Sequence, residues 1–170
     1  MSAIWLLDTS IYLNVLDVPG FSQHREAVLE QFRERVHARH RFLLPLASIW
    51  ETGNHIAHVP EGRARYRLAQ KFVADVQAAL DGKAPYTPTH FPGRDTFAGW
   101  LSAFPEFAKR NKSADKSREG TSLADVSLIK EWEQICERSP GWQVGIWSLD
   151  ADLQGYDRLP RSARGRVGRR

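Results

Sequence analysis

The chain contains very little sulfur, with one cysteine and one methionine among its 170 residues. A lone Cys136 cannot form an internal disulfide. It lies in a helical pattern, so we expect a buried thiol that takes no part in chemistry. The sequence also has no well-spaced pair of histidines to complete a site of the softer ligands that zinc prefers. Cysteine chemistry and a zinc centre are therefore not expected.

Long apolar runs are also missing, since 18 apolar residues occur together nowhere in the chain. No basic region precedes an apolar stretch near its start. A membrane-spanning helix needs the first feature and a secretory leader needs the second. We therefore expect a cytoplasmic protein that makes no contact with a membrane.

Basic residues are concentrated at the end of the chain, where residues 158–170 hold six arginines and no acid. The other 18 basic residues face 20 acidic ones, so residues 1–157 carry a formal net charge of −2. Such a segment lacks the apolar content to fold, and we predict a flexible arm. Such an arm either contacts the phosphates of a nucleic acid or only keeps the protein soluble. The candidate phosphate contacts are Arg158, Arg161, Arg164 and Arg166.

The remaining residues predict one α/β domain over 1–157, because 170 residues suit one sizeable core rather than two. Short apolar runs predict strands that are buried on both faces, as in a parallel sheet. The runs are 3–7, 42–46 and 142–148. Helical spacing predicts helices between them. These lie at 22–39 with Ser22 as cap, from 48 onward, at 62–80, after a capping Asp95, and at about 121–138. We expect irregular structure at 81–93 and a mobile polar loop at 109–120, within an extended helical and loop region at about 62–119.

Acidic residues stand at the predicted strand ends and helix starts. Asp8 ends the first apolar run, Asp150 follows the last one, and Glu51 and Asp125 fall in the first turns of helices. In a parallel sheet these positions share one edge, where ligands bind. We therefore expect the four carboxylates to converge there. The neighbouring polar residues Thr9, Ser10, Ser148 and Asp152 are candidate supporting groups.

A cluster of carboxylates is electrostatically costly, because two like charges about 4 Å apart repel by on the order of 4 kcal/mol at a partly screened dielectric. Such a cluster is sensible with a cation between its members. The all-oxygen ligand set favours Mg²⁺ or Mn²⁺. Divalent ions held in this way hydrolyse phosphodiester bonds by activating water and neutralising charge. The pattern therefore indicates a nuclease.

Each motif has a simpler structural interpretation. Ser48-x-x-Glu51 and Ser122-x-x-Asp125 both match a capping box, in which the acid only satisfies a backbone amide. Asp8 could cap a helix, and residues 148–150 could form a turn. His55 and His58 are expected to be packed or solvated rather than metal ligands.

As a set, these pieces resemble a PIN-domain ribonuclease, and most closely a VapC-like toxin of a toxin-antitoxin system. The matching pieces are Leu7-Asp8-Thr9-Ser10, Glu51, Ser122-Leu123-Ala124-Asp125 and Ser148-Leu149-Asp150-Ala151-Asp152-Leu153. The resemblance implies a three-layer α/β/α PIN-like fold with a central, mainly parallel sheet. It also implies that Asp8, Glu51, Asp125 and Asp150 are the metal-binding and catalytic residues of a Mg²⁺- or Mn²⁺-dependent endoribonuclease that cleaves single-stranded or structured RNA.

The resemblance further implies a homodimer and a cognate antitoxin protein as partners. Two alternatives stay open: a PIN nuclease in RNA processing or defence without an antitoxin, and a non-catalytic RNA-binding module. A haloacid dehalogenase-type hydrolase is disfavoured, because it would need an aspartate where Ser10 stands.

Overall fold

The structure is a computed structural model of the chain, and it describes residues 2–110 and 119–160. The strands are β1 (Ala3–Leu7), β2 (Arg41–Leu44), β3 (Tyr86–Pro88), β4 (Gln143–Trp147) and β5 (Asp157–Arg158). The helices are α1 (Thr9–Leu16), α2 (Arg25–His37), α3 (Leu46–Ala57), α4 (Gly62–Leu80), α5 (Arg94–Ala108), α6 (Leu123–Arg138) and α7 (Ala151–Gln154). None of these helices is both long and apolar enough to cross a membrane.

The strands form one sheet in the order β3-β2-β1-β4-β5. β1 is central and pairs in parallel with β2 on one side and with β4 on the other, while β3 continues the parallel arrangement beyond β2. Only β5 runs antiparallel to its neighbour. The chain moves outward from β1 through β2 to β3 and then crosses back to β4. The strand order therefore reverses between β1 and β4, which is where open α/β sheets bind their ligands.

Helices cover both faces of this sheet, because successive side chains of a strand point to opposite sides. Leu7 lies in a core cluster with residues of α1, α2, α3 and α4. Ile4 and Leu6 lie in a second cluster, with Leu128 and Ile129 of α6 and with residues of β4. The buried Cys136 belongs to the second cluster, as expected. The predicted three-layer α/β/α fold with a mainly parallel sheet is confirmed.

The prediction of irregular structure at 81–93 was wrong, because β3 lies within this segment. The strand has only three residues, and Pro88 cannot donate to a ladder, which hid it in the sequence. An edge position tolerates proline, and the next residue supplies the bond instead, since the Thr89 amide donates to Leu44 O at 2.9 Å. The sheet is therefore wider at this edge than the sequence indicated.

The chain end also differs from the prediction. Arg158 was assigned to the flexible arm, but it lies in β5, and its guanidinium donates to the Ser139 and Trp142 carbonyls at 2.6 and 3.1 Å. A strand of two residues has no periodicity that a sequence pattern could show. The rest of the predicted arm that carries arginines, 161–170, lies outside the described residues. So does most of the predicted polar loop, 111–118.

Two predicted helix caps were wrong. α2 begins at Arg25, and the Ser22 hydroxyl donates to Asp17 instead of capping it. The cap of α5 is Gly93, and Asp95 lies in the first turn. α4 spans the predicted residues and ends at Leu80, with Asp81 as its C-cap, and α6 ends at the predicted Arg138. The apolar periodicity therefore located the helices more accurately than the cap residues located their ends.

A cluster of hydrogen-bonded side chains, Tyr12, Asp75 and Tyr86, joins α1, α4 and β3. The phenol hydroxyls of Tyr12 and Tyr86 donate to Oδ2 of Asp75 at 2.7 and 2.5 Å. The two tyrosines are almost fully buried. Burial, followed by the contact with Asp75, raises the pKa of Tyr12 and of Tyr86 well above the usual range, so both rings remain neutral donors. Asp75 thus ties α4 to α1 and β3.

Replacing Asp75 with alanine leaves two buried hydroxyls without an acceptor, at about 1–3 kcal/mol each. We expect Asp75→Ala to lower the free energy of unfolding by about 2–5 kcal/mol, measured by urea denaturation. Asp75→Asn keeps an oxygen that accepts both bonds, so it should lose clearly less. Equal stability of the two variants would contradict this account.

Candidate active site

Asp8 occupies the switch point of the sheet. It follows β1 directly, its amide donates to Trp147 O of β4 at 3.0 Å, and it is the N-cap of α1. The carboxylate therefore lies at the positive end of a helix and at the carboxyl edge of two central strands. Only 7% of its surface is exposed. A buried carboxylate needs donors that replace water, and the local sequence supplies them.

Three hydrogen bonds go to Oδ2 of Asp8. The Ser10 hydroxyl donates at 2.6 Å, the Ser148 hydroxyl at 2.8 Å and the Ser10 amide at 3.2 Å. The hydroxyl oxygens accept in turn, from the Leu149 amide at 3.0 Å and from the Asp150 amide at 2.9 Å. The orientation of the Asp8 carboxylate is therefore fixed from both sides by the chain ends of β1 and β4.

Glu51 belongs to the same edge, through α3. Its Oε2 accepts a bond from the Thr9 hydroxyl at 2.6 Å, which brings it close to Asp8 in space. Its predicted place in the first turn was wrong, because α3 begins at Leu46, directly after the N-cap Pro45. The capping-box interpretation of Glu51 was wrong as well, since the Ser48 hydroxyl donates to Leu7 O at 2.8 Å. Ser48 and Glu51 therefore do not form a capping box at the start of α3.

Asp150 and Asp152 lie on the other side of Asp8. Asp150 is the N-cap of the short helix α7 and accepts from the Asp152 amide at 3.3 Å. Its own amide bonds to the Ser148 hydroxyl that also holds Asp8. Ser148 therefore forms the predicted turn with Asp150 and also brings this turn next to Asp8.

Asp125 shows the capping arrangement in full. Its amide donates to Ser122 Oγ at 3.1 Å, and its Oδ2 accepts from the Ser122 amide at 3.3 Å. α6 packs against β4 and is followed by it after a short connection, so the helix start lies toward the carboxyl edge. The capping-box interpretation of Asp125 is confirmed.

The donor chemistry of this edge fits a hard cation, because its side chains present only carboxylate and hydroxyl oxygens. The spacing of the described acidic side chains does not match a metal site. Within residues 2–110 and 119–160, no group of three or more histidine, cysteine, aspartate or glutamate side chains is close enough to hold a metal ion. The Thr9 hydroxyl donates to Glu51, and the Ser148 hydroxyl donates to Asp8 and accepts from the Asp150 amide.

Of the other predicted residues, the two histidines are structural. The His55 ring packs 4.3 Å from the ring of Phe21, and His58 Nδ1 lies 2.7 Å from Asn54 O. Burial, followed by the neighbouring His58, lowers the pKa of His55. The candidate RNA contacts Arg161, Arg164 and Arg166 lie outside the described residues.

Comparison with known proteins adds no family to this description. A scan against protein-family models, a search of curated proteins and a search of solved structures each returned no match.

Sequence reasoning missed one buried carboxyl group, that of Glu131 in α6. Only 7% of this residue is exposed, and its Oε2 has no hydrogen-bond partner among the described residues. Burial raises the pKa of Glu131 to about 7, against a smaller lowering by a hydrogen bond with the Thr89 side chain. The one available signal was an acid among the inward apolar positions of α6, between Ile129 and Trp132.

The raised pKa makes stability depend on pH. Between pH 4.5 and about 7 the folded protein keeps a proton that the unfolded chain releases, so this contribution is complete below 4.5 and is lost as the pH rises through about 7. We expect Glu131→Gln to remove this slope and to raise the free energy of unfolding at about pH 8 by on the order of 3 kcal/mol.

Urea denaturation at a series of pH values measures this effect. Glu137→Gln, at an exposed position of the same helix, is the matched control and should leave the slope unchanged. A wild-type slope in Glu131→Gln would show that another group titrates.

Proposed function

We propose that this protein is an endoribonuclease that depends on Mg²⁺ or Mn²⁺ and cleaves single-stranded or structured RNA. The observation that carries the proposal is the position of Asp8, Glu51 and Asp150 at the switch point of a parallel sheet, where the hydroxyls of Thr9 and Ser148 contact them. Catalysis of phosphodiester hydrolysis needs oriented acidic groups at an open edge. The order of the motifs along the chain supports the PIN-like assignment, with Asp125 as the fourth acidic residue.

Within this proposal, the chain's own residues perform defined tasks. Ser10 and Ser148 hold the Asp8 carboxylate in one orientation, and Thr9 holds Glu51. Oriented groups lower the reorganisation that a reaction requires. Asp8, Glu51, Asp125 and Asp150 are the residues that would hold the cation. Among the described residues, no three acidic side chains lie close enough together to surround one cation.

The proposed biological setting is that of a toxin. It comprises action on RNA in the cytoplasm, a homodimer and inhibition by a cognate antitoxin protein. A PIN-type nuclease of RNA processing or defence without an antitoxin uses the same site.

A second candidate is a non-catalytic RNA-binding module. It is favoured by one specific observation, that no three acidic or metal-binding side chains of the described residues lie close enough for a metal ion. The two candidates differ in whether the carboxylates close around a cation.

Cleavage of a labelled single-stranded RNA by the purified chain should require Mg²⁺ or Mn²⁺ and stop in excess EDTA. Asp8→Asn should reduce the cleavage rate by more than about 100-fold, because the oriented negative charge at the switch point is lost. Asp17→Asn is the control, since Asp17 is an exposed residue at the opposite end of α1 and asparagine accepts its left-handed backbone, with φ of 62°. Cleavage that persists in EDTA would exclude the proposed mechanism.

Variants of Glu51 and Asp125 separate metal binding from helix capping. Glu51 lies beyond the first turn of α3, so Glu51→Gln should weaken Mn²⁺ binding at least about tenfold, by calorimetric titration, with little change in melting temperature. Asp125→Asn should weaken Mn²⁺ binding as well and also cost about 0.5–2 kcal/mol of stability, because the capping box loses its charge. If Asp125→Asn melts early but binds Mn²⁺ normally, Asp125 is a cap alone.

A further inference from the structure

A cavity of about 320 Å³ lies beside the candidate site, between the edge strand β3, the segment that follows it, α5 and α6. One wall is aromatic, with the buried Trp100 inside and the exposed Phe91 at the rim. The volume lies at the lower end of the range for small-molecule pockets. The cavity is therefore suited to one small, flat ligand.

Glu131 lines this cavity and carries a carboxyl oxygen without a hydrogen-bond donor among the described residues. Only 7% of its surface is exposed, and its Oε2 has no hydrogen-bond partner within the described parts of the chain. A buried acceptor without a donor costs about 1–3 kcal/mol. An N–H group of a ligand would remove that cost, so the cavity favours a ligand with a donor at this point.

The other lining groups restrict the ligand further. Gln134 and Arg138 follow Glu131 on the same face of α6, and they add donors next to its acceptor. The charge of Arg138 opposes a cationic amine, and Glu131 opposes an anion. A purely apolar ligand would leave Oε2 unpaired. A flat ring with a ring N–H beside a carbonyl oxygen satisfies all of these groups, and guanine and uracil have that pattern.

The part of the cavity lining that follows β3 leaves the sheet at the same edge as Asp8. Its Thr89 follows β3 as Asp8 follows β1, and β2 lies between them. Two strand spacings amount to about 10 Å. The ring of Phe91 at the rim lies 6.3 Å from the ring of Trp50, the exposed neighbour of Glu51. Exposed aromatic rings between the two sites provide stacking surfaces for successive bases.

We propose that this cavity binds a nucleobase that carries a ring N–H, through Glu131 and against Trp100. The base belongs either to the RNA substrate or to a free nucleotide. As an RNA subsite that sets base preference, the cavity rests on the proposed nuclease function.

Calorimetric titration of four nucleosides in EDTA tests the base pocket in the absence of divalent cations. Inosine and adenosine differ at the ring N–H, and uridine and cytidine form a second such pair. Inosine and uridine should bind about tenfold more tightly than their partners. Glu131→Gln should abolish this difference, because an amide presents a donor as well as an acceptor. Glu137→Gln, outside the cavity and exposed on the same helix, should preserve it.

A second variant, Gln134→Leu, touches no buried charge and should weaken inosine and uridine several-fold. Circular dichroism establishes that each variant is folded. Absence of nucleoside binding to the wild type, or equal binding of all four by both the wild type and Glu131→Gln, would overturn the base pocket.

The source of the base is resolved with the Asp8→Asn variant, which keeps the cavity intact. Its affinity for oligouridylate should exceed that for oligocytidylate, and adding Glu131→Gln should remove the difference. Nucleoside binding without any such preference among oligonucleotides would overturn the RNA subsite and support a free-nucleotide site. Nucleoside selectivity in a protein that cleaves no RNA would reject the proposed nuclease and retain the base pocket.

Discussion

The hydrogen bonds from two serine hydroxyls to the Asp8 carboxylate are the interaction on which the carboxyl edge of this sheet depends. Ser10 and Ser148 are far apart in sequence, yet both hydroxyls donate to Oδ2 of Asp8. The bonds join the ends of β1 and β4, the paired parallel strands between which the strand order reverses. Because hydroxyl groups replace water, the carboxylate stays in the buried position that the end of β1 dictates. Without them the polar end of a buried strand would be unsatisfied.

The same hydroxyls determine how the acidic groups relate to one another. Carboxylates in direct contact repel strongly, whereas a hydroxyl between them offers a donor to one and an acceptor to a backbone amide. Ser148 does this between Asp8 and the start of α7, and Thr9 holds Glu51 nearby. The hydroxyl groups therefore orient Asp8 and Glu51 at this edge.

Most of the layered fold could be predicted from the sequence, since apolar runs and helical periodicity reflect burial on both faces of a sheet. β1 and α4 agree with the prediction at nearly every residue. β3 and β5 could not be found, because two or three residues at the edges of a sheet carry no period and gain their hydrogen bonds from neighbours. The two Ser-x-x-acid motifs look alike, but one is a capping box and the other is not. Tertiary contact with Leu7 decided the second, and no local pattern reports such a contact.

Asp8 and Glu131 show why burial alone does not identify a site. Each is 7% exposed, and each lies in the layer between the sheet and a helix or helix start. Asp8 has donors for its charge from its own chain, whereas Oε2 of Glu131 has none among the described residues. The first arrangement lowers the cost of keeping an ion buried, and the second leaves that cost unmet until a proton or a ligand arrives. The chain's own donors thus hold the Asp8 carboxylate in one orientation, whereas the Glu131 carboxyl keeps an unmet capacity for a hydrogen bond beside a cavity.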